Sequence, residues 1–368
     1  MAAGKDDLRG TIGEQTRNSK AQFAQVDAAR LHGFIEGQPD VVGQVKTGPI
    51  EYLLDGAGSS NGIAFFEAEL DRGDGRRRQD YVLRYFPGVT LLRQKSYKDE
   101  YLTLQAARAA GLPTPMPLWL DEDGKQLGCI GYVMERVSGD APSAAMYSKG
   151  PLANVTPEKR KALMLQAATF HGTLRKAAIG ADRVPHLVGR GEGATAIERE
   201  LQWWLTEARF VCSADDARLA YVQQIHDWMV ANQPPAYEPG LVHGDAQIAN
   251  IMFRDGQLAS VLDWELSYLG HNESDLALLV FITESQKLLD QAVEGTPSEA
   301  EYIAAYEAAA GAPVESWAYF KLFSQFKVTC IALMMADRTP SFETVWAYYA
   351  AQVAADFDAA RASAALAA

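Results

Sequence analysis

The sequence predicts an α+β chain of two lobes, a small β-rich lobe with one helix followed by a larger, mainly helical lobe. Three observations point there. Strand-like runs punctuated by Gly and Pro fill residues 50–140, with a single helical pattern among them. Beyond Pro142 helical periodicity dominates. One stretch, "LVHGDAQIANIMF" at residues 241–253, breaks that periodicity by setting His243, Asp245 and Asn250 between apolar runs. The expected division is a leader and short helix over 1–45, a first lobe over 46–137 and a second over 138–368.

The elements follow in order. Residues 50–70 read as strand, Gly-rich turn, strand, with Phe66, Ala68 and Leu70 on one face and Glu67 and Glu69 on the other. Residues 79–88 form a third strand closed by Pro87-Gly88, and the preceding Arg76-Arg77-Arg78 is expected to be a solvated hairpin tip. Residues 96–115 read as a helix, capped by Ser96 with Asp99 and stopped by Gly111, Pro113 and Pro115. Tyr97, Glu100, Leu104 and Ala107 share its inner face, so an ion pair from Arg84 to Glu100 is expected. Residues 129–139 give a further strand running into a turn. In the helical half, His171 and the Trp203-Trp204 pair read as core, and the Ala-rich tail yields no reading.

Composition narrows the classes. The chain has 368 residues, 48% of them hydrophobic, which suffices for a sizeable core. Its 34 basic and 47 acidic side chains give a net charge of −13, a poor footprint for nucleic acid. The apolar runs Leu276–Ile282 and Cys330–Ala336 are too short to span a membrane. Without a recognisable secretory signal, a cytoplasmic location is expected. Cys129, Cys212 and Cys330 lie far apart with no ligand spacing, so they read as reduced thiols.

The polar stretch carries the chemistry. Asp245 and Asn250 are followed, thirteen residues after Asn250, by Asp263 at the end of the strand in "SVLDWELSYLG". Such a set of Asp, Asn and Asp suits phosphoryl transfer, with the first Asp orienting the attacking hydroxyl and the other two holding Mg²⁺ on nucleotide phosphates. Mg²⁺ takes hard oxygen ligands, which this set supplies. His243 reads as a brace for the loop. Upstream, "DGAGSSNG" is a Gly-rich turn whose bare backbone could approach phosphates, which makes Gly58, Ser59, Ser60 and Asn61 candidate nucleotide-binding residues. No GxxxxGK[ST] loop occurs, and the turn leads into a strand, which counts against a dinucleotide fold. Arg84 is the candidate phosphate-gripping cation, and Glu100 its partner.

These motifs resemble those of the aminoglycoside phosphotransferase family, relatives of protein kinases that phosphorylate small molecules. "LVHGDAQIANIMF" is similar to the family's HGD-x-x-x-x-N loop and "VLDWE" to its metal-binding strand end. "GSSNGIAFF", "YVLRYFPG", "DEYLTLQAARAAGLPTPMPLW" and "GYVMERVSG" follow the branch associated with acyl-CoA dehydrogenases, over roughly residues 45–340. The resemblance implies a bilobal protein-kinase-like fold, ATP and Mg²⁺ as cofactors, and a hinge in which Glu135 and Val137 pair with adenine. Two departures stand out. Arg84 replaces the Lys of the wider kinase group, and "GHNESD" stands where the family reads Gly-Asp-Pro, ahead of Asp275, the match to its structural Asp.

The function implied is transfer of the γ-phosphate of ATP to a hydroxyl of a small molecule, by branch resemblance a hydroxyacyl compound such as a hydroxyacyl-CoA. Glu265 is read as a contact to the acceptor or metal shell, or as a turn-stabilising carboxylate. Two alternatives remain open at this stage. One is an aminoglycoside or other small-alcohol kinase, which the 11 acidic against 5 basic side chains of residues 284–368 would suit. The other is a catalytically silent nucleotide-binding regulator.

Overall fold

The computed structural model describes residues 25–53, 61–88, 91–93, 95–142, 146–235, 238–289, 293–338 and 340–367. Two compact units divide them. A sheet unit runs up to Gly139 and takes in Ala259–Glu265, and a helical unit holds Asp140–Leu258 and Leu266–Ala368.

The sheet unit begins with α1 (Ala28–Glu36), whose first amides are capped by the Asp27 carboxylate. Then come β1 (Val42–Thr47), β2 (Glu51–Tyr52), β3 (Gly62–Asp71) and β4 (Arg76–Tyr85). After α2 (Tyr97–Ala109) the chain adds β5 (Pro117–Asp121) and β6 (Gly131–Glu135). The strand order is β1-β3-β4-β6-β5, with β2 beside β3, and every pairing is antiparallel. Alternation along β3 buries Ala64, Phe66, Ala68 and Leu70. These side chains form one core with Leu31, Phe34 and Ile35 of α1 and Val45 of β1.

Arg76, Arg77 and Arg78 differ from expectation. They are the exposed start of β4, paired in register with Asp71, Leu70 and Glu69, and the turn itself lies before them. Arg76 and Arg78 bind Glu69 and Glu67 across the strand pair, each at 2.5 Å, so cross-strand charge pairing extends the strand through this run. Helix α2 starts where the sequence places it, with Ser96 Oγ accepting the Asp99 N–H at 3.1 Å. Tyr97, Glu100, Leu104 and Ala107 are all buried.

The helical unit contains α3 (Pro157–Lys176), α4 (Ala196–Val211) and α5 (Ala217–Ala231). β7 (Gly240–Val242) leads into the polar stretch, which is followed by β8 (Ile251–Arg254), whereas β9 (Gln257–Val261) begins in this unit and ends in the sheet unit. β10 (Tyr268–Gly270) pairs antiparallel with β7, matching Tyr268 to Val242 and Gly270 to Gly240. Helices α6 (Glu273–Leu289), α7 (Glu299–Ala310), α8 (Trp317–Arg338) and α9 (Glu343–Ala367) complete the chain, so the Ala-rich tail is helical. Trp203, Trp204 and His171 are buried, as expected of core residues. Cys212 and Cys330 are buried free thiols, whereas Cys129 is half-buried. Among the described residues no helix is long and apolar enough to cross a membrane.

Candidate functional site

In the helical unit the polar stretch forms a loop pinned from behind. β7 delivers His243 and Gly244, and the Asp275 carboxylate in the first turn of α6 accepts both of their backbone N–H groups, at 2.8 and 2.9 Å. Burial opposes the charge on Asp275. Nearby His171, 3.3 Å away, together with these N–H groups nevertheless holds its pKa below the usual carboxylate value. Gly244 has φ +83°, and a Cβ there would lie 2.1 Å from the Leu266 carbonyl oxygen, so the tight turn requires glycine.

The next residue, Asp245, is turned back on the loop. Its N–H donates to His243 Nδ1 at 3.1 Å, which leaves the imidazole proton on Nε2. Gln247 Nε2 reaches both carboxylate oxygens at 2.9 Å. Asn250 closes a short helical turn and donates its amide to the Asp245 carbonyl at 3.0 Å and to its carboxylate at 2.7 Å. With the amide nitrogen so used, Oδ1 is the Asn250 atom suited to a hard cation. His243 is fully buried, and its carbonyl accepts Ser267 Oγ at 3.2 Å.

The "GHNESD" turn keeps Asp275 in place by its own contacts. The His271 and Asn272 carbonyls accept the Ser274 and Asp275 N–H groups, each at 3.1 Å. Asn272 Nδ2 donates to the Leu241 carbonyl at 2.7 Å, and the buried Glu273 pairs with Arg175 at 2.9 Å. The "GHNESD" segment therefore builds a turn behind the loop that presents the Asp275 carboxylate to it.

In the sheet unit a second cluster gathers around Arg84. Register places Arg84 of β4 between Ile63 of β3 and Tyr132 of β6. Its Nε donates to Glu100 at 3.0 Å, the ion pair expected from the helix periodicity. Its Nη2 donates to Asp263 and, at 2.9 Å, to Glu265. Burial alone would lower the Arg84 pKa, but Asp263 and Glu100 hold it well above the usual value. Glu100 is shifted up by burial despite that cation. Glu265 is shifted down, because Lys95 and Arg84 outweigh its burial.

Asp263 has φ +66°, a left-handed conformation Asp tolerates better than bulky residues, and its side chain is 22% exposed where that of Arg84 is 8%. It is thus the carboxylate of this cluster that a cation from solvent could reach, and its oxygen donors suit Mg²⁺.

Glu265 is an internal partner of the cations. It binds Arg84, Lys95 and, at 2.6 Å, Asn61 Nδ2. Asn61, read from the sequence as nucleotide-binding, is itself buried, and its Oδ1 accepts Lys95 and, at 2.9 Å, Tyr97 Oη. Gly62 beside it permits the close approach of Tyr85, whose ring would lie 2.3 Å from a Cβ. Gly58, Ser59 and Ser60 lie outside the described residues. At Glu135, in the expected hinge, the N–H donates to the Met116 carbonyl at 3.0 Å and the side chain faces Arg72. That donor is spent inside the sheet, while Val137, half-buried, follows the strand end.

Two participants escaped the sequence reading. Gln247 carries no signal in the sequence beyond its place in the loop. Lys95 sits in "LLRQKSYK", with no periodicity to orient it, and its partner Glu265 is 170 residues away. Its ammonium also lies 4.7 Å from the centre of the Tyr97 ring, and burial lowers its pKa.

Comparison with known proteins identifies the family. The APH model, described as a phosphotransferase enzyme family, matches residues 68–323. Acyl-CoA dehydrogenase family member 11 of Pongo abelii is 28% identical over 345 residues, which are 90% of this chain and 41% of that protein. The chain thus spans about two fifths of the length of this relative. A solved structure from Ralstonia eutropha, described as a candidate aminoglycoside phosphotransferase, superposes with a TM-score of 0.62 at 23% identity, covering 89% of this chain and 99% of that one. The streptomycin and ATP ternary complex of an APH enzyme gives 0.53 at 15% identity, covering 84% and 91%. At these identities the likeness is one of fold, the protein-kinase-like fold predicted from the sequence. With the family model covering most of its length, the chain belongs to the APH phosphotransferase enzyme family.

Proposed function

We propose that the protein transfers the γ-phosphate of ATP to a hydroxyl of a small molecule, with Mg²⁺ as the metal and a hydroxyacyl compound, such as a hydroxyacyl-CoA, as acceptor. The observation that carries this reading is the hold of Asn250 and Gln247 on the Asp245 carboxylate, in a loop whose backbone is pinned by Asp275. A carboxylate held in one orientation by neutral amides keeps its charge and can accept the hydrogen bond of an acceptor hydroxyl. Asp245 takes that role.

The sheet unit supplies nucleotide binding. Arg84 and Lys95 are cations held in place by Glu100 and Glu265, and a guanidinium grips phosphate oxygens bidentately. Asn250 and Asp263 offer oxygen donors of the kind Mg²⁺ takes, and the ion, when bound, neutralises charge on the phosphates. Gly58, Ser59 and Ser60 and the segment around Val137 would complete the nucleotide contacts. The ATP ternary complex among proteins of similar fold supports the choice of nucleotide. Similarity to the acyl-CoA dehydrogenase family member supports an acyl compound as acceptor.

The test is ADP release from Mg-ATP across short hydroxyacyl-CoA esters, free hydroxy acids, aminoglycosides and choline. Turnover confined to the hydroxyacyl esters supports the proposal in full. Turnover on an aminoglycoside or choline instead replaces the acceptor, and ATP binding with no turnover on any of them favours a silent regulator.

A further inference from the structure

Lys327 lies in the middle of α8, flanked by Phe326 and Val328, in a stretch where Phe323, Thr329 and Cys330 are also buried, and is itself 4% exposed. An ammonium removed from water loses several kcal/mol of hydration unless polar partners replace it. A lysine at such a position therefore has a specific partner or destabilises its helix.

The partner is the catalytic loop. The Lys327 ammonium donates to the carbonyl oxygen of Gly244, the residue before Asp245, and lies 5.0 Å from the centre of the Trp204 ring. The charges around it come from several packed elements: Glu200 of α4, Asp245 of the loop, Arg190 of the segment before α4, and Asp275 of α6. All three carboxylates have other direct partners, which for Asp245 are Asn250 and Gln247. Glu200 is engaged by Arg190 at 3.2 Å and by the Trp204 indole N–H at 2.7 Å. Asp275 holds the two backbone N–H groups of the loop.

The peptide plane between Gly244 and Asp245 is consequently gripped at both ends. Its carbonyl is taken by Lys327, and its N–H, which belongs to Asp245, by His243 Nδ1. Rotation about the Gly244 Cα–C bond would turn this plane and swing the Asp245 Cα, and with it the carboxylate. Asp275 fixes the preceding peptide, and Asn250 and Gln247 fix the side chain, so Lys327 completes the restraint on the backbone.

We propose that Lys327 is a positioning residue for Asp245, clamping the Gly244–Asp245 peptide plane so that the carboxylate meets the acceptor hydroxyl in one orientation. This rests on the phosphotransferase reading of Asp245. A shift of about 1 Å at a reacting group can lower a rate 100-fold, so loss of the clamp lowers kcat by about 10- to 100-fold. Nucleotide binding does not depend on that plane, so KM for ATP stays near the wild-type value.

The experiment compares wild type, Lys327→Met and Lys327→Arg by two readouts: kcat and KM for Mg-ATP-dependent transfer, and hydrogen exchange of the backbone amides over residues 243–250. Met fills similar volume without the donor, and Arg restores a donor and a charge. The expected result is faster exchange of the loop and a fall in kcat at unchanged KM in the Met variant, with both recovered at least in part in the Arg variant. A folded Met variant with wild-type loop exchange and wild-type kcat overturns the proposal, as does an equal loss in the Arg and Met variants. Should the Met variant not fold, Lys327→Leu, which also removes the donor, takes its place in the comparison. A wild-type protein without turnover on any acceptor counts against the phosphotransferase reading instead, and the exchange readout still decides whether Lys327 clamps the loop.

Discussion

The Asp275 carboxylate accepts the backbone N–H of Gly244 at 2.9 Å, joining the first turn of α6 to the residue before Asp245. Its second oxygen takes the His243 N–H at 2.8 Å, so one buried carboxylate serves two amides. In Asp275→Asn one of the two acceptors becomes a donor facing an N–H. Hydrogen bonds to a charged group are worth about 1.5–3 kcal/mol each, so a loss of roughly 2–4 kcal/mol is expected, read by urea unfolding. A midpoint indistinguishable from wild type would remove Asp275 from this role.

Arg84 bridges Glu100, Asp263 and Glu265, two of which are almost fully buried. Truncation leaves Glu100 without its main cation and Glu265 without the second of its two, a change that costs about 3–5 kcal/mol when a buried pair is broken. Arg84→Met should therefore be severely destabilised. Arg84→Lys should fall between it and wild type, because an ammonium cannot reproduce the guanidinium fork. Equal midpoints for Met and Lys would show that charge at this site adds nothing to stability.

At Gly244 a side chain meets both a backbone conformation of φ +83° and the Leu266 carbonyl. Gly244→Ala is expected to lose more than about 2 kcal/mol of stability, since left-handed strain and a steric clash add. The cost should reach the loop's hydrogen bonds as well, so exchange of the Asp245 amide should rise in the variant.

His271 makes folding sensitive to acid. Burial and, to a lesser extent, the nearby Arg175 lower its pKa from 6.5 to about 4. A depressed histidine is neutral in the folded chain while the unfolded chain binds a proton, so its contribution is present above the unfolded pKa. It is lost as pH falls from about 6.5 towards 4. The magnitude is on the order of 3 kcal/mol from the size of the shift. His271→Phe, which can still stack on Phe320, should flatten the dependence of unfolding free energy on pH across that window. An unchanged slope would assign the acid sensitivity to other groups.

Sequence patterns were legible where local physics decides. The alternation along β3, the Ser96 cap and the buried face of α2 each follow from residues within a few positions of one another. The Arg84 to Glu100 pair could be read because helix periodicity turned Glu100 inward. β1 escaped because it is an edge strand of mixed exposure, with no alternation to mark it. Lys95 and Lys327 escaped for a different reason. A single cation in an unpatterned or apolar run has no local signal, and their partners lie 170 and 83 residues away along the chain. At Glu135 the sheet consumes the backbone N–H, a hydrogen bond to Met116 that sequence order does not announce.

The central claim is that Asp245 orients an acceptor hydroxyl for phosphoryl transfer. The most direct test is single-turnover transfer from radiolabelled Mg-ATP to a hydroxyacyl-CoA, in wild type and Asp245→Asn, with ATP affinity measured in parallel. The account predicts labelled product with wild type and a fall of about 100- to 10,000-fold in the variant, at unchanged ATP affinity and stability. Transfer by a folded Asp245→Asn protein at the wild-type rate would contradict it.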